Sequence, residues 1–139
     1  MLTVRLYNET MSILLDTSTV LSVLLNEPTK PSIIKNTEGQ EVYCSSSIYA
    51  EIGNACSSLF KQKALSLKQA EEAVSQFYKM NLRSERFDVT KSLKIAFEHS
   101  IYGYDAYMIE LALRKSSSLY TLDKKLRNLS KKLGVFVLE

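Results

Sequence analysis

Four carboxylates in this 139-residue chain stand where the backbone could bring them together: Asp16, Glu51, Asp105 and Asp123. Asp16 closes the apolar run Ile13-Leu14-Leu15. Glu51 falls one turn into a helical stretch that follows the strand-like run Val42-Tyr43-Cys44. Asp105 opens a helix after Gly103, and Asp123 follows the run Ser118 to Thr121. In an open parallel sheet, ligands bind outside the carboxyl ends of the strands. Asp16 and Asp123 are expected at that edge, and Glu51 can lean over it. Carboxylates gathered within a few ångströms raise one another's pKa and destabilise the fold, a cost that a divalent cation removes. Oxygen donors without nearby His or Cys suit Mg²⁺ or Mn²⁺ rather than zinc. Asp105 at a helix N-terminus is favoured as the anion. An ion held this way, with positions left to water and substrate, suits phosphodiester hydrolysis, through one metal or two.

The elements that must position these acids follow from periodicity and punctuation. Ile13 to Leu15 is apolar throughout, as in a parallel strand buried on both faces. Thr17 to Leu25 carries Val20, Leu21, Leu24 and Leu25 at helical spacing. Pro28 and Pro31 mark a break before a short helix around Ile33 and Ile34, and Gly39 marks a turn. Ser46 or Ser47 is a candidate N-cap for a helix reaching about Lys61. Ser66 and Gln69 match a capping box. They open a helix with Ala70, Ala73, Val74, Phe77 and Tyr78 on one side. Arg86 to Val89 reads as a short strand, with Thr90 capping a helix through Phe97. Tyr104 to Lys115 is a further helix, Ser118 to Thr121 a strand, and Asp123 to Leu133 a helix ended by Gly134. Val135 to Leu138 is the last strand. Strands alternating with helices of this length predict a single α/β domain with a central, mostly parallel sheet flanked by helices. Met1 to Thr10 fall outside this plan and read as an extension or an edge strand, leaving 11–139 as the folded domain.

Composition narrows the remaining classes. With 45% apolar residues the chain can bury a core without disulfides. A net charge of +3 is compatible with a polyanionic partner without requiring one. Cys44 and Cys56 form no C-x-x-C pair, which argues against a zinc ribbon or a thioredoxin-like site, and they read as buried reduced thiols. The lone His99 excludes a His-rich zinc site and is expected at a helix end. No apolar run approaches a membrane span and no signal peptide is apparent, so a cytoplasmic protein is expected.

The segments Ile13-Leu14-Leu15-Asp16-Thr17-Ser18, Ala50-Glu51-Ile52-Gly53-Asn54-Ala55, Tyr104-Asp105-Ala106 and Tyr120-Thr121-Leu122-Asp123-Lys124-Lys125-Leu126 together resemble the PIN domain. Within it, they are most similar to the VapC-type toxins of prokaryotic toxin–antitoxin pairs. Each motif alone is weak, but all four in order from Met11 to the C-terminus are fairly specific. The resemblance implies a Mg²⁺- or Mn²⁺-dependent endoribonuclease with metal-ligand roles on Asp16, Glu51, Asp105 and Asp123, the fourth being the most variable in the family. It implies few protein ligands per ion, an RNA substrate, an antitoxin partner and often a homodimer. Ser18, Asn54 and Thr121 are candidates to orient the carboxylates by hydrogen bonds. The N-terminal extension and the polar stretch Arg114 to Ser118 depart from the family pattern but touch no acidic position.

Each acid also has an ordinary alternative. Asp16, Asp105 and Asp123 could cap helices, and Glu51 could lie on a solvated face. The other acids, Glu110 among them, read as solvated charge. Two basic groups could contact phosphate: Lys61, Lys63, Lys68, Lys79, Arg83 and Arg86, and, nearer an acid, Lys124, Lys125, Arg127, Lys131 and Lys132. An aspartyl phosphatase of the haloacid dehalogenase type would need a second Asp where Ser18 stands. A receiver-type domain would need an early acidic pair that is absent. A stand-alone RNA-processing PIN nuclease, or a catalytically silent PIN module, would share the whole pattern.

Overall fold

The computed structural model describes residues 12–138; the expectation for Met1 to Thr10 lies outside them. The fold is organised around β1 (Ile13–Leu15), whose three residues are all buried. It pairs in parallel with β2 (Val42–Ser45) on one side and with β4 (Ser118–Tyr120) on the other. Beyond these lie β3 (Arg83–Glu85) and β5 (Val137–Leu138), giving the parallel order β3-β2-β1-β4-β5. Alternation along β1 sends Ile13 and Leu15 to one face and Leu14 to the other.

The two faces make two cores. Ile13 and Leu15 pack with Val20 of α1 (Thr17–Leu24), Ile33 of α2 (Lys30–Thr37), Ile48 and Ile52 of α3 (Ile48–Lys61), and Ala70 and Phe77 of α4 (Leu67–Met80). Leu14 packs with Met108, Ile109 and Leu111 of α6 (Gly103–Lys115), and with Leu126 of α7 (Lys124–Lys132). Ile95 of α5 (Val89–His99) closes that second core from outside. This is the α/β arrangement with a parallel sheet that the alternation of elements predicts.

Local signals account for several boundaries. The capping box at α4 is complete: Gln69 N donates to Ser66 Oγ at 3.1 Å, and Ser66 N donates to Gln69 Oε1 at 2.9 Å. Pro31 occupies the first turn of α2, where a missing N–H is harmless. Gly39 and Gly134 adopt φ of +72° and +88°, which suits glycine at these turns. Cys44 and Cys56 are free and buried, and burial pushes the Cys44 thiol up to about 11. His99 ends α5.

Three local expectations are corrected. The third strand is Arg83–Glu85, and Arg86 to Asp88 lie beyond it. Asp88, rather than Thr90, caps α5, accepting from Lys91 N at 2.9 Å. Glu110 is not solvated: it is 3% exposed. Its carboxylate accepts from Asp88 N and, at 2.9 Å, from Arg114 Nε, while an Arg114 terminal nitrogen donates to Arg86 O. The loop after β3 is thus tied to α6 through one buried carboxylate. Removing one partner of such a network strands the others. Glu110→Ala should therefore lower the unfolding free energy by about 2 kcal/mol, moderated because Arg114 can reach water; urea denaturation reads this out, and an unchanged midpoint would show the network to be energetically idle.

Candidate active site

All five strands run the same way, so their carboxyl ends share one edge. The turn after β1 delivers Asp16 there, and the turn after β4 delivers Thr121 to Asp123. Asp16 N donates to Tyr120 O at 3.2 Å, extending the β1–β4 ladder by one bond. Asp16 is 6% exposed, and its carboxylate is held by neighbouring hydroxyls. Ser18 Oγ donates to Oδ1 at 2.6 Å and accepts from Leu122 N at 3.0 Å. Thr121 Oγ1 donates to Oδ2 and accepts from Asp123 N at 3.0 Å. Thr19 N donates to Oδ1 at 3.1 Å, which makes Asp16 the N-cap of α1. The Thr19 hydroxyl, with one proton to give, lies 2.8 Å from Asp16 O and 3.2 Å from both Asp16 Oδ1 and Tyr120 O. Burial raises the Asp16 pKa, and the Ser18, Thr121 and Thr19 hydrogen bonds oppose that rise.

Glu51 lies in the first turn of α3. Ser47 is the N-cap residue of that helix, but its hydroxyl makes no capping bond. It donates instead to Glu51 Oε2 at 2.6 Å and stands 2.8 Å from Ser45 Oγ. Burial is again the first cause of a raised pKa, followed by the Ser47 and Thr17 hydroxyls, which lower it, and then by the charges of Asp16 and Asp105, which raise it. The Thr17 hydroxyl lies near enough to favour the Glu51 anion but short of sound hydrogen-bond geometry, so its buried oxygen is left without a partner.

Asp105 is in the first turn of α6, not at its cap; the N-cap residue is Tyr102. The Asp105 pKa is raised first by burial and then by Asp123, while Lys125 lowers it and Asp16 raises it. Asp123 caps α7 through Oδ1, which accepts from Lys125 N at 2.9 Å and from Leu126 N at 3.2 Å. The ordinary alternative, helix capping, is thus realised at both Asp16 and Asp123.

The four acids are thus electrostatically coupled at one edge: Glu51 feels Asp16 and Asp105, and Asp105 feels Asp123 and Asp16. Of the three candidates to orient them, Ser18 and Thr121 touch Asp16 directly. Asn54 does not: it is exposed, and its side chain bonds no described residue. Ser47, Thr19 and Thr17 were not singled out by sequence reasoning. The signal was present in hydroxyl residues crowding each acid, but a Ser before a helix reads first as a cap. Among the basic residues, Lys125 reaches the acids. Arg83 is instead engaged by Glu41 at 2.8 Å and Glu85 at 3.1 Å, and Arg127 donates to Thr121 O at 3.1 Å.

The donor set fits a hard divalent cation. All the donors are oxygens, and burial and mutual repulsion penalise their charge. Asp16 Oδ2 receives one hydrogen bond and keeps a lone pair. The buried Thr17 oxygen is orphaned beside Glu51. Among the described residues no group of three or more His, Cys, Asp or Glu side chains stands close enough to hold a metal ion by itself.

The PIN domain family model matches residues 13–132, and the chain belongs to that family, whose members are generally nucleases. No curated protein matches the chain in sequence. Among solved structures it is similar to VapBC2 from Rickettsia felis bound to a DNA fragment from its promoter, with a TM-score of 0.68 and 14% identity over 92% of this chain and 98% of that one. It is also similar to FitAcB from Neisseria gonorrhoeae, at 0.62 and 22% over 91% and 96%. A protein from Pyrobaculum aerophilum matches at 0.63 and 20% over 95% and 89%. At these identities the likeness is one of fold.

The raised carboxylates have a consequence for stability. An acid whose folded pKa lies above its unfolded value binds more protons folded than unfolded, so stability falls as pH rises through that interval. Here the interval starts at 3.8 for Asp16 and Asp105 and at 4.5 for Glu51 and extends upward. In EDTA these groups should make the protein less stable as pH rises from about 4. Mn²⁺ should counter the loss, so the gap between the two denaturation midpoints should widen with pH; a gap that stays constant would mean the acids do not share a cation.

Proposed function

We propose that this PIN nuclease is a Mg²⁺- or Mn²⁺-dependent endoribonuclease acting as the toxin of a toxin–antitoxin pair. The observation that carries the reading is the delivery of Asp16, Glu51, Asp105 and Asp123 to the carboxyl edge of the sheet, where Glu51 feels the charges of Asp16 and Asp105, and Asp105 those of Asp123 and Asp16. Asp16, Glu51 and Asp105 would hold the cation, with Asp123 at the margin. A bound cation supplies charge neutralisation at the phosphate and a more acidic water for attack. The chain's own residues prepare for this. Ser18, Thr19 and Thr121 fix the Asp16 carboxylate in one orientation, and Ser47 fixes Glu51 Oε2. Lys125 stands beside Asp105, where its charge would draw in the phosphate backbone.

The likeness to VapBC2 and FitAcB supports a small antitoxin protein as partner. An RNA substrate fits a cytoplasmic location, and among the described residues no helix is long and apolar enough to cross a membrane. A homodimer fits α5, where Val89, Leu93 and Phe97 recur every fourth residue on an exposed face and Phe97 is 88% exposed. Large apolar side chains left in water along one helix favour a self-complementary contact. Light scattering should find a dimer that Phe97→Glu dissociates; a monomeric wild-type protein would overturn this part.

The central test is cleavage of total RNA and structured tRNA by purified protein in Mn²⁺ or Mg²⁺. Cleavage should vanish in EDTA and in Asp16→Asn, while Thr121→Val should lose about 10–100-fold through a misoriented Asp16. Cleavage that survives EDTA or Asp16→Asn would sink the mechanism.

A further inference from the structure

Two exposed tyrosines precede Asp105 where α6 begins. Tyr102 is the N-cap residue of α6 and is 78% exposed; Tyr104, in the first turn, is 49% exposed. Asp105 is the third residue of the helix that Tyr102 precedes. Lys125 Nζ lies 6.0 Å from the centroid of the Tyr102 ring, and the Lys125 charge acts on Asp105. The Tyr102 ring thus stands beside the cation that reaches the acids. Tyr104 is braced: its ring meets Tyr107 edge-on at 5.6 Å and 87°, and Tyr107 stacks on Phe87 at 3.8 Å and 15°.

Leaving an aromatic face in water forfeits the stabilisation that its burial would bring, so these rings pose the question of what covers them. Their charged border disfavours an apolar protein surface. It suits a ligand with a flat π-face on one side and a phosphate on the other. We infer that Tyr102, flanked by Lys125, is a platform on which one unpaired base of the RNA strand stacks while its phosphate meets Lys125. This rests on the nuclease reading and adds to it a residue that touches the substrate strand at an unpaired base. Bases inside a duplex are already stacked on one another and cannot reach the ring. Base stacking on an aromatic tolerates any sequence, since every base has a π-face.

The test is equilibrium binding of a single-stranded oligoribonucleotide carrying 2-aminopurine, measured by anisotropy and by quenching of the base's fluorescence, in EDTA so that no cleavage occurs. The wild-type protein should bind and quench. Tyr102→Ala should bind about tenfold more weakly and lose the quenching, whereas Tyr102→Phe should keep both. The same sequence as a duplex should bind more weakly, and equally to the wild-type protein and Tyr102→Ala. Thermal melts followed by circular dichroism check that each variant is folded. Wild-type-like binding and quenching by Tyr102→Ala, equal impairment of Tyr102→Phe, or a preference for duplex would each overturn the platform. So would a wild-type protein that binds no RNA, and the metal-dependent cleavage assay then tells whether the nuclease reading falls with it.

Discussion

The Asp16 carboxylate lies almost wholly out of water at the end of the central strand, and the edge of the sheet is built around making that tolerable. Burying an ionised carboxylate without partners costs several kcal/mol. Here hydroxyls and a backbone N–H stand in for water. The donors come from both sides: Ser18 and Thr19 follow Asp16 in sequence, and Thr121 arrives from the far end of the chain. Because Ser18 also accepts from Leu122 N, and Thr121 from Asp123 N, the same hydroxyls stitch the turn after β1 to the turn after β4. The carboxylate's solvation and the placement of Asp123 are one hydrogen-bonded unit. A change at Thr121 would disturb both.

The strand order explains why such distant segments meet. From β1 the chain moves outward to β2 and β3, then crosses back to lay β4 against the opposite side of β1. The connections leaving β1 and β4 therefore diverge to opposite faces, α1 against one core and α7 against the other. A crevice opens between strands where connections part in this way, and Asp16 and Thr121 occupy it. Glu51 comes from the neighbouring β2 connection, and Asp105 from the start of α6, the helix that packs beneath Leu14. Close packing of the two cores thus fixes the acids relative to one another without any direct bond among them.

Much of this was legible in the residues. Ile13 to Leu15, apolar at every position, could only be a strand buried on both faces, and that placed Asp16 at its end. Ser66 and Gln69 announced their capping box. Ser18 was legible as a partner of Asp16 from the family resemblance, and Thr121 from its place two residues before Asp123, although its hydroxyl donates to Asp16. Other features depend on contacts that no local pattern carries. Glu110 sits on a helix like any surface acid, and its burial follows from Arg114 and the loop after β3 closing over it. The capping preference of Asp88 over Thr90 turns on where β3 ends, four residues before the Val89 that the apolar Phe87 and Val89 suggested. Asn54 has helical spacing from Glu51, yet the Glu51 carboxylate turns to Ser47 at the helix start instead.

Helix capping and the proposed cation binding make different demands on a carboxylate, and at this edge the two oxygens of the capping acids are unequally engaged. Asp123 Oδ1 receives the backbone N–H groups of Lys125 and Leu126. Asp16 Oδ1 receives Thr19 N and the Ser18 hydroxyl, while Oδ2 receives Thr121 alone. In each case the capping oxygen is the crowded one and the other keeps lone pairs. At Asp16 the capping bond from Thr19 N opposes the rise that burial imposes. Glu51 and Asp105 serve no cap and depend more on their neighbours: Glu51 on the Ser47 hydroxyl, Asp105 on Lys125. The capping acids are therefore the anchored half of this edge, and the other two are the half whose repulsion the proposed cation would relieve most.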